Sequence, residues 1–198
     1  MRYFFLKGSL SLVVFILGFC PFVYSQEFSA DMIGPEISSN QVIGKIYVGK
    51  DKVKIVQDGA QSMIIRLDKK VAWVLMPDVQ AYIELPLKDE NLVSYSSHSP
   101  TESESVLIGT EQVDGRSADK FRVVFNAEGK KMVIFKWIDK ELNFPVKITA
   151  EDGSWGMKYA NIQLAMQPER LFEVPVNFEK KSARDLNALM QNAGESSQ

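Results

Sequence analysis

The chain has 198 residues, 45% of them hydrophobic and 24% charged, with a formal net charge of −2. Acidic and basic residues are interspersed, so the basic stripe that nucleic acid or an anionic membrane surface would demand is missing. One cysteine and one histidine exclude the clustered Cys and His ligands of a zinc site.

Residues 1–25 carry Arg2 and Lys7, then an apolar run from Leu10 to Phe19, then Pro21-Phe22-Val23-Tyr24-Ser25. A basic start, a short apolar centre and the small residues Val23 and Ser25 before a cleavage point describe a secretory signal peptide. The run is shorter than the ~20 residues a membrane-spanning helix needs. Cleavage after Ser25 and export of residues 26–198 to the periplasm are expected. Leu17-Gly18-Phe19-Cys20 resembles a lipoprotein lipobox, but bulky Phe19 stands where that motif wants a small residue, so lipid anchoring through Cys20 is not expected. Removal of Cys20 leaves a chain without disulfides, and removal of Arg2 and Lys7 makes it more acidic by two charges. A single domain of this size buries roughly 70% of its unfolded surface and can hold together on its core alone.

The mature chain reads as strands punctuated by turns. Phe28–Ile33 ends at Gly34-Pro35. Val42–Val48 and Lys52–Val56 flank Gly49-Lys50-Asp51, a hairpin signal. Asp58-Gly59 leads into three strands, Met63–Leu67, Val71–Met76 and Ala81–Leu85, separated by Asp68-Lys69-Lys70 and Pro77-Asp78-Val79. This block is apolar on both faces: Met63, Ile65 and Leu67 oppose Ile64, and Val71, Trp73 and Leu75 oppose Ala72, Val74 and Met76. An antiparallel strand with one wet face alternates apolar and polar, so both faces here are covered. A helix, another sheet or a hydrophobic ligand could supply the second cover, and that question carries the functional reading.

Leu87–Leu92 has the pattern of a short helix. Ser94–Ser105 is polar and Ser-rich, a loop that serves either as a connector or as a lid or partner contact. Strands resume at Ser105–Val113 and Ser117–Asn126 around Asp114-Gly115, followed by Lys131–Ile138, Val146–Ala150 and Gly156–Leu164. Pro168–Pro175 reads as a helical turn, Val176–Phe178 as a last extended piece, and Glu179–Asn192 as an amphipathic terminal helix on Ala183, Leu186, Leu189 and Met190. The fold class is mainly β: about ten or eleven antiparallel strands curled into a half-barrel, with helices covering the concave face.

Catalytic chemistry has little to stand on. The single histidine, His98, lies in the Ser-rich loop, whereas a triad needs a rigidly oriented base. Asp89-Glu90 and Glu151-Asp152 lack the alternation of a calcium loop, and no glycine array cradles a phosphate. No catalytic residue, metal or cofactor is assigned, and a hydrolase is the distant alternative. Aromatic residues are more informative, because Trp and Tyr favour pocket walls where their polar atoms find partners. A large apolar sheet with little helix fits a concave apolar cavity. Its candidate lining is Ile65, Leu67, Trp73, Leu75, Tyr82, Phe121, Phe125, Phe135 and Trp137.

VLIGTEQVDGRSADKF (106–121), FKWIDKELNFPVKI (135–148) and LFEVPVNFEK (171–180) resemble DUF4412, outer-membrane lipoprotein-sorting-like proteins of the LolA-like superfamily. The chain departs from the pattern at Asn177-Phe178, where a Gly-Tyr is frequent. The resemblance implies a curved half-barrel whose helices lie across its concave side and enclose a hydrophobic cavity. It further implies a non-enzymatic periplasmic carrier or sensor for lipid, or for a lipoprotein's acyl chains, with peripheral membrane contact and a monomeric state. The alternative is an envelope protein–protein interaction module with a self-filled core and no lipid cargo.

Overall fold

β-Branched and aromatic segments separated by Asp, Gly and Pro turns give twelve strands that hydrogen-bond into one sheet. The structure is a computed structural model that describes residues 26–34, 41–57, 62–88, 102–127 and 129–182, together with Asp185. The first six strands are β1 (Phe28–Ile33), β2 (Val42–Gly49), β3 (Lys52–Gln57), β4 (Ser62–Arg66), β5 (Val71–Met76) and β6 (Ala81–Pro86). Then follow β7 (Glu102–Val113), β8 (Arg116–Ala127), β9 (Lys130–Asp139), β10 (Pro145–Ala150), β11 (Gly156–Leu164) and β12 (Glu179–Lys180). The order across the sheet is β12-β6-β5-β4-β3-β2-β1-β11-β10-β9-β8-β7. Two antiparallel meanders thus meet where β1 pairs with β11, and the sheet is left open with β7 and β12 at its edges.

This open, curled sheet is the mainly β half-barrel expected from the sequence, with one strand more. Asp114 and Gly115 both adopt positive φ, 50° and 77°, the backbone a two-residue hairpin needs and the reason an Asp-Gly dipeptide marks it. Gly44 has a different role. A Cβ there would lie 2.3 Å from the Val56 carbonyl oxygen, so only glycine lets β2 and β3 approach this closely.

Four expectations are corrected. Glu179–Lys180 does not begin a helix but runs parallel to Ala81–Tyr82. There Glu179 N–H donates to the Gln80 carbonyl (2.9 Å) and Lys181 N–H to that of Tyr82 (2.9 Å), satisfying an edge that would otherwise stay bare. Val176-Asn177 is a turn and not extended. Glu102–Ser105 is strand and not loop, because Glu102 ion-pairs with Lys136 and Ser103 Oγ donates to the Val124 carbonyl. Among the described residues no helix lies across the sheet, contrary to expectation: besides Asp185, which is helical, the helical elements are two short 3-10 turns, Pro77–Val79 and Glu169–Phe172. Ser182 and Asp185 exchange the reciprocal hydrogen bonds of a capping box. The rest of the expected terminal helix, residues 89–92 of the first one, His98 and residues 1–25 lie outside the described residues.

Directly paired residues project on the same face, so the register sorts the core. One face carries Phe28, Met32, Ile46, Val53, Ile55, Ile65 and Tyr159, all buried. The other carries Ile64, Trp73 and Leu75 and is crossed by a strap, residues 165–178, which lays Leu171, Phe172, Val174 and Phe178 on them. Arg66 fastens the strap. Its Nε and Nη2 donate to the Asp68 carboxylate at 2.8 and 2.6 Å, its Nη1 reaches the Phe172 carbonyl (3.3 Å) and ion-pairs with Glu173, and the guanidinium lies 5.8 Å from the Trp73 ring.

Phe172→Ala should cost about 3–5 kcal/mol of unfolding free energy, measured by chemical denaturation, because it empties the buried site under the strap. The Arg66 guanidinium, by its hydrogen bonds, holds the Asp68 carboxyl at about 2, against an ordinary 3.8. A depressed carboxylate contributes stability that is complete above its unfolded value and lost as pH falls through its folded value. A loss of stability between about pH 4 and 2 is therefore expected, and Asp68→Asn should flatten that part of a pH titration of the melting temperature.

Candidate functional site

The nine aromatic and aliphatic residues singled out from the sequence do not form one wall. Trp73 pairs with Ile64, and Leu75 with Tyr82, placing Trp73, Leu75 and Tyr82 on the strap face. Ile65 pairs with Ala72 on the opposite face, where Leu67 packs against the same core. Phe121 pairs with Lys136 and Phe125 with Met132, whereas Phe135 pairs with Arg122 and Trp137 with Lys120. Through β10, β11 and β1 the register puts Phe121 and Phe125 on the side of Ile65, and Phe135 and Trp137 on the side of Trp73.

Two different surfaces result on β8 and β9. On the strap side Trp137 is boxed by charge: its Nε1–H donates to Glu111 (2.8 Å), and Lys147 and Lys120 stand 4.2 and 4.8 Å from its ring. Burial lowers the pKa of Lys147. On the opposite face Val123, Phe125, Ile134 and Ile148 form a dry cluster with Phe121 at its margin. An open pocket of 360 Å³ adjoins it, lined by Asp119, Phe121, Ile138, Asp139, Lys140 and Asn143. Asp139 is buried against Arg116 (2.6 and 3.1 Å) and the N–H groups of Glu141 and Leu142 (2.9 and 2.8 Å). Burial alone would raise its pKa, but Arg116 and the two N–H groups outweigh it and hold the carboxyl below its usual range.

Lys136 lies inside that dry cluster, between Phe121 and Ile148, fully buried and ion-paired with the nearly buried Glu102. Burial depresses the ammonium pKa, opposed by the Glu102 carboxylate. Neither Lys136 nor Arg66 stood out among the candidate residues. The available signal was alternation: Lys136 shares a face with Ile134 and Ile138, and Arg66 with Ile64, so each charge interrupts an apolar stripe.

Among the described residues no three His, Cys, Asp or Glu side chains converge as a metal site. No helix of the described residues is long and apolar enough to cross a membrane.

Removing one partner of the Lys136–Glu102 pair leaves the other charge buried, so Lys136→Met should cost about 3–5 kcal/mol in denaturant unfolding. Glu102→Leu added to it should recover most of that loss, since replacing both charges by apolar groups is often neutral.

No protein-family model matches the chain, and no curated protein matches it. Among solved structures it is similar to the MucA/MucB complex of Pseudomonas aeruginosa, with 15% identity, a TM-score of 0.46 and coverage of 78% of this chain and 58% of that one. It is also similar to a LolA superfamily protein from Nitrosomonas europaea, at 11% identity and a TM-score of 0.35, covering 75% of this chain and 90% of that one. A DUF1329 family protein from Desulfovibrio piger follows, at 15% identity and a TM-score of 0.37, covering 75% and 90%. The chain thus spans little more than half the length of the MucB structure.

Proposed function

We propose that this chain is an exported, non-enzymatic binding protein that seats acyl chains, of a lipid or of a lipoprotein, on the apolar face opposite its strap. It acts as a carrier or sensor in the periplasm, after removal of residues 1–25. The observation that carries the reading is the distribution of covers. The chain's own strap serves the Trp73 face, while the opposite face is apolar from Ala72 on β5 to Phe125 on β8 without a strap; its side chains are buried against one another, so an acyl chain is seated by parting that packing at its Phe121 margin. Of the sequence-derived lining, Ile65, Leu67, Phe121 and Phe125 belong to this surface. Phe121, partly buried and bordering the open pocket, is the point of entry. The resemblance of residues 106–121, 135–148 and 171–180 to LolA-like proteins supports the same reading.

The test is native mass spectrometry and lipid extraction of the full chain secreted from its own N-terminus. The mature mass should start at Gln26, with acyl lipid bound. Phe121→Glu should reduce the bound lipid at least tenfold while leaving the far-UV circular dichroism unchanged, because Phe121 sits at the margin of its cluster. A lipid-free protein whose tryptophan emission does not respond to added palmitate overturns the proposal.

A further inference from the structure

The two edges of the sheet are finished differently. At one, β12 lies along β6 and the strap ends beside it. At the other, β7 pairs only with β8 among the described residues. Twelve extended residues give this edge a length of about 40 Å. Its centre is apolar and wet: Val106, Leu107 and Ile108 are 46%, 55% and 48% exposed. Open edges are usually blunted by Lys, Pro, bulges or short length. The sequence of β7, ESESVLIGTEQV, has no Lys, Arg or Pro.

We infer that β7 is a docking edge for an extended segment of a partner protein, a strand with an apolar centre and Lys or Arg flanks, added to the sheet by β-augmentation. Charge selects this occupant. All three charged residues of β7 are acidic: Glu102 and Glu111 are neutralised by Lys136 and Lys120, and Glu104 makes no ion pair among the described residues. A second copy of the chain is disfavoured, because antiparallel pairing about the centre of β7 sets Glu104 against Glu111 twice, and directly opposed like charges destabilise a strand pair. The register irregularities of β7 at Glu102/Glu104 and Leu107/Gly109 restrict the edge to strands that match them, since bulges discourage promiscuous edge pairing. A basic strand avoids the like-charge clash. Docking here does not depend on what the apolar face holds.

The probe is a fluorescein-labelled peptide of alternating lysine and valine, about nine residues long, titrated against the full chain by anisotropy. A glutamate–valine peptide of equal length is the control. The basic peptide should bind, protect amides within residues 103–112 from hydrogen exchange, and weaken with added salt. Ile108→Lys should weaken it at least tenfold and Glu104→Lys about threefold. Both side chains are exposed, so the melting temperature of each variant should stay within a few degrees of the parent. Added palmitate should leave peptide affinity unchanged, which separates this inference from the lipid reading. Equal binding of the acidic peptide, protection confined to another strand, or indifference to both β7 variants overturns it. So does self-association of the free chain that Ile108→Lys abolishes, which would make a second copy the occupant.

Discussion

A buried guanidinium decides which side of this sheet the strap covers. Removing a cation from water costs several kcal/mol unless its donors are engaged. Arg66 engages them with Asp68, Glu173 and the Phe172 carbonyl, and it lies against the Trp73 ring. Three of those contacts are to the strap or to the ring beneath it. The strap therefore has a fixed landing point, and Ile64, Trp73 and Leu75 are covered by the chain itself. A sheet that is apolar on both faces needs two covers, and Arg66 assigns the first of them.

Lys136 is the counterpart on the opposite face. Each buried cation ties down a segment distant in sequence: Arg66 holds residues 172 and 173, and Lys136 holds Glu102, where β7 begins. Such pairs are weak contributors to net stability, because desolvation offsets much of their attraction. Their effect is directional. An apolar stripe accepts many registers, whereas a buried charge accepts only the register that brings its partner. The polar Glu102–Ser105 stretch is thereby drawn into a strand that its own composition does not favour.

Strand positions were largely legible in the sequence. Val71–Met76 and Gly156–Leu164 follow from alternation and flanking turn residues, and the Asp114-Gly115 hairpin follows from backbone chemistry confined to two residues. What lay beyond reach was pairing. Alternation tells which residues of one strand share a face; it does not tell which face of the next strand they join. Ile64 and Ile65 are both apolar, so grouping Ile65 with Trp73 or with Ala72 reads equally well until the register pairs Trp73 with Ile64. The same ambiguity split Phe121 from Trp137. β12 was hidden for a related reason: its two residues are strand only because β6 offers them unpaired carbonyls.

The apolar face and the free edge meet at one place. Leu107 on β7 pairs with Phe121 on β8, and Phe121 in turn pairs with Lys136 on β9. Glu102 completes the loop, since it opens β7 and neutralises Lys136 within the dry cluster. A one-residue slip of β7 along β8 would turn its side chains to the other face and pull the carboxylate away from a fully buried ammonium. The penalty for that slip is the cost of an unpaired buried charge, several kcal/mol, far above the fractions of a kcal/mol carried by individual exposed cross-strand pairs. The free edge is thus locked in register from beneath by the Lys136–Glu102 pair. A strand bound to it would find a rigid template, although most of the side chains of β7 are exposed.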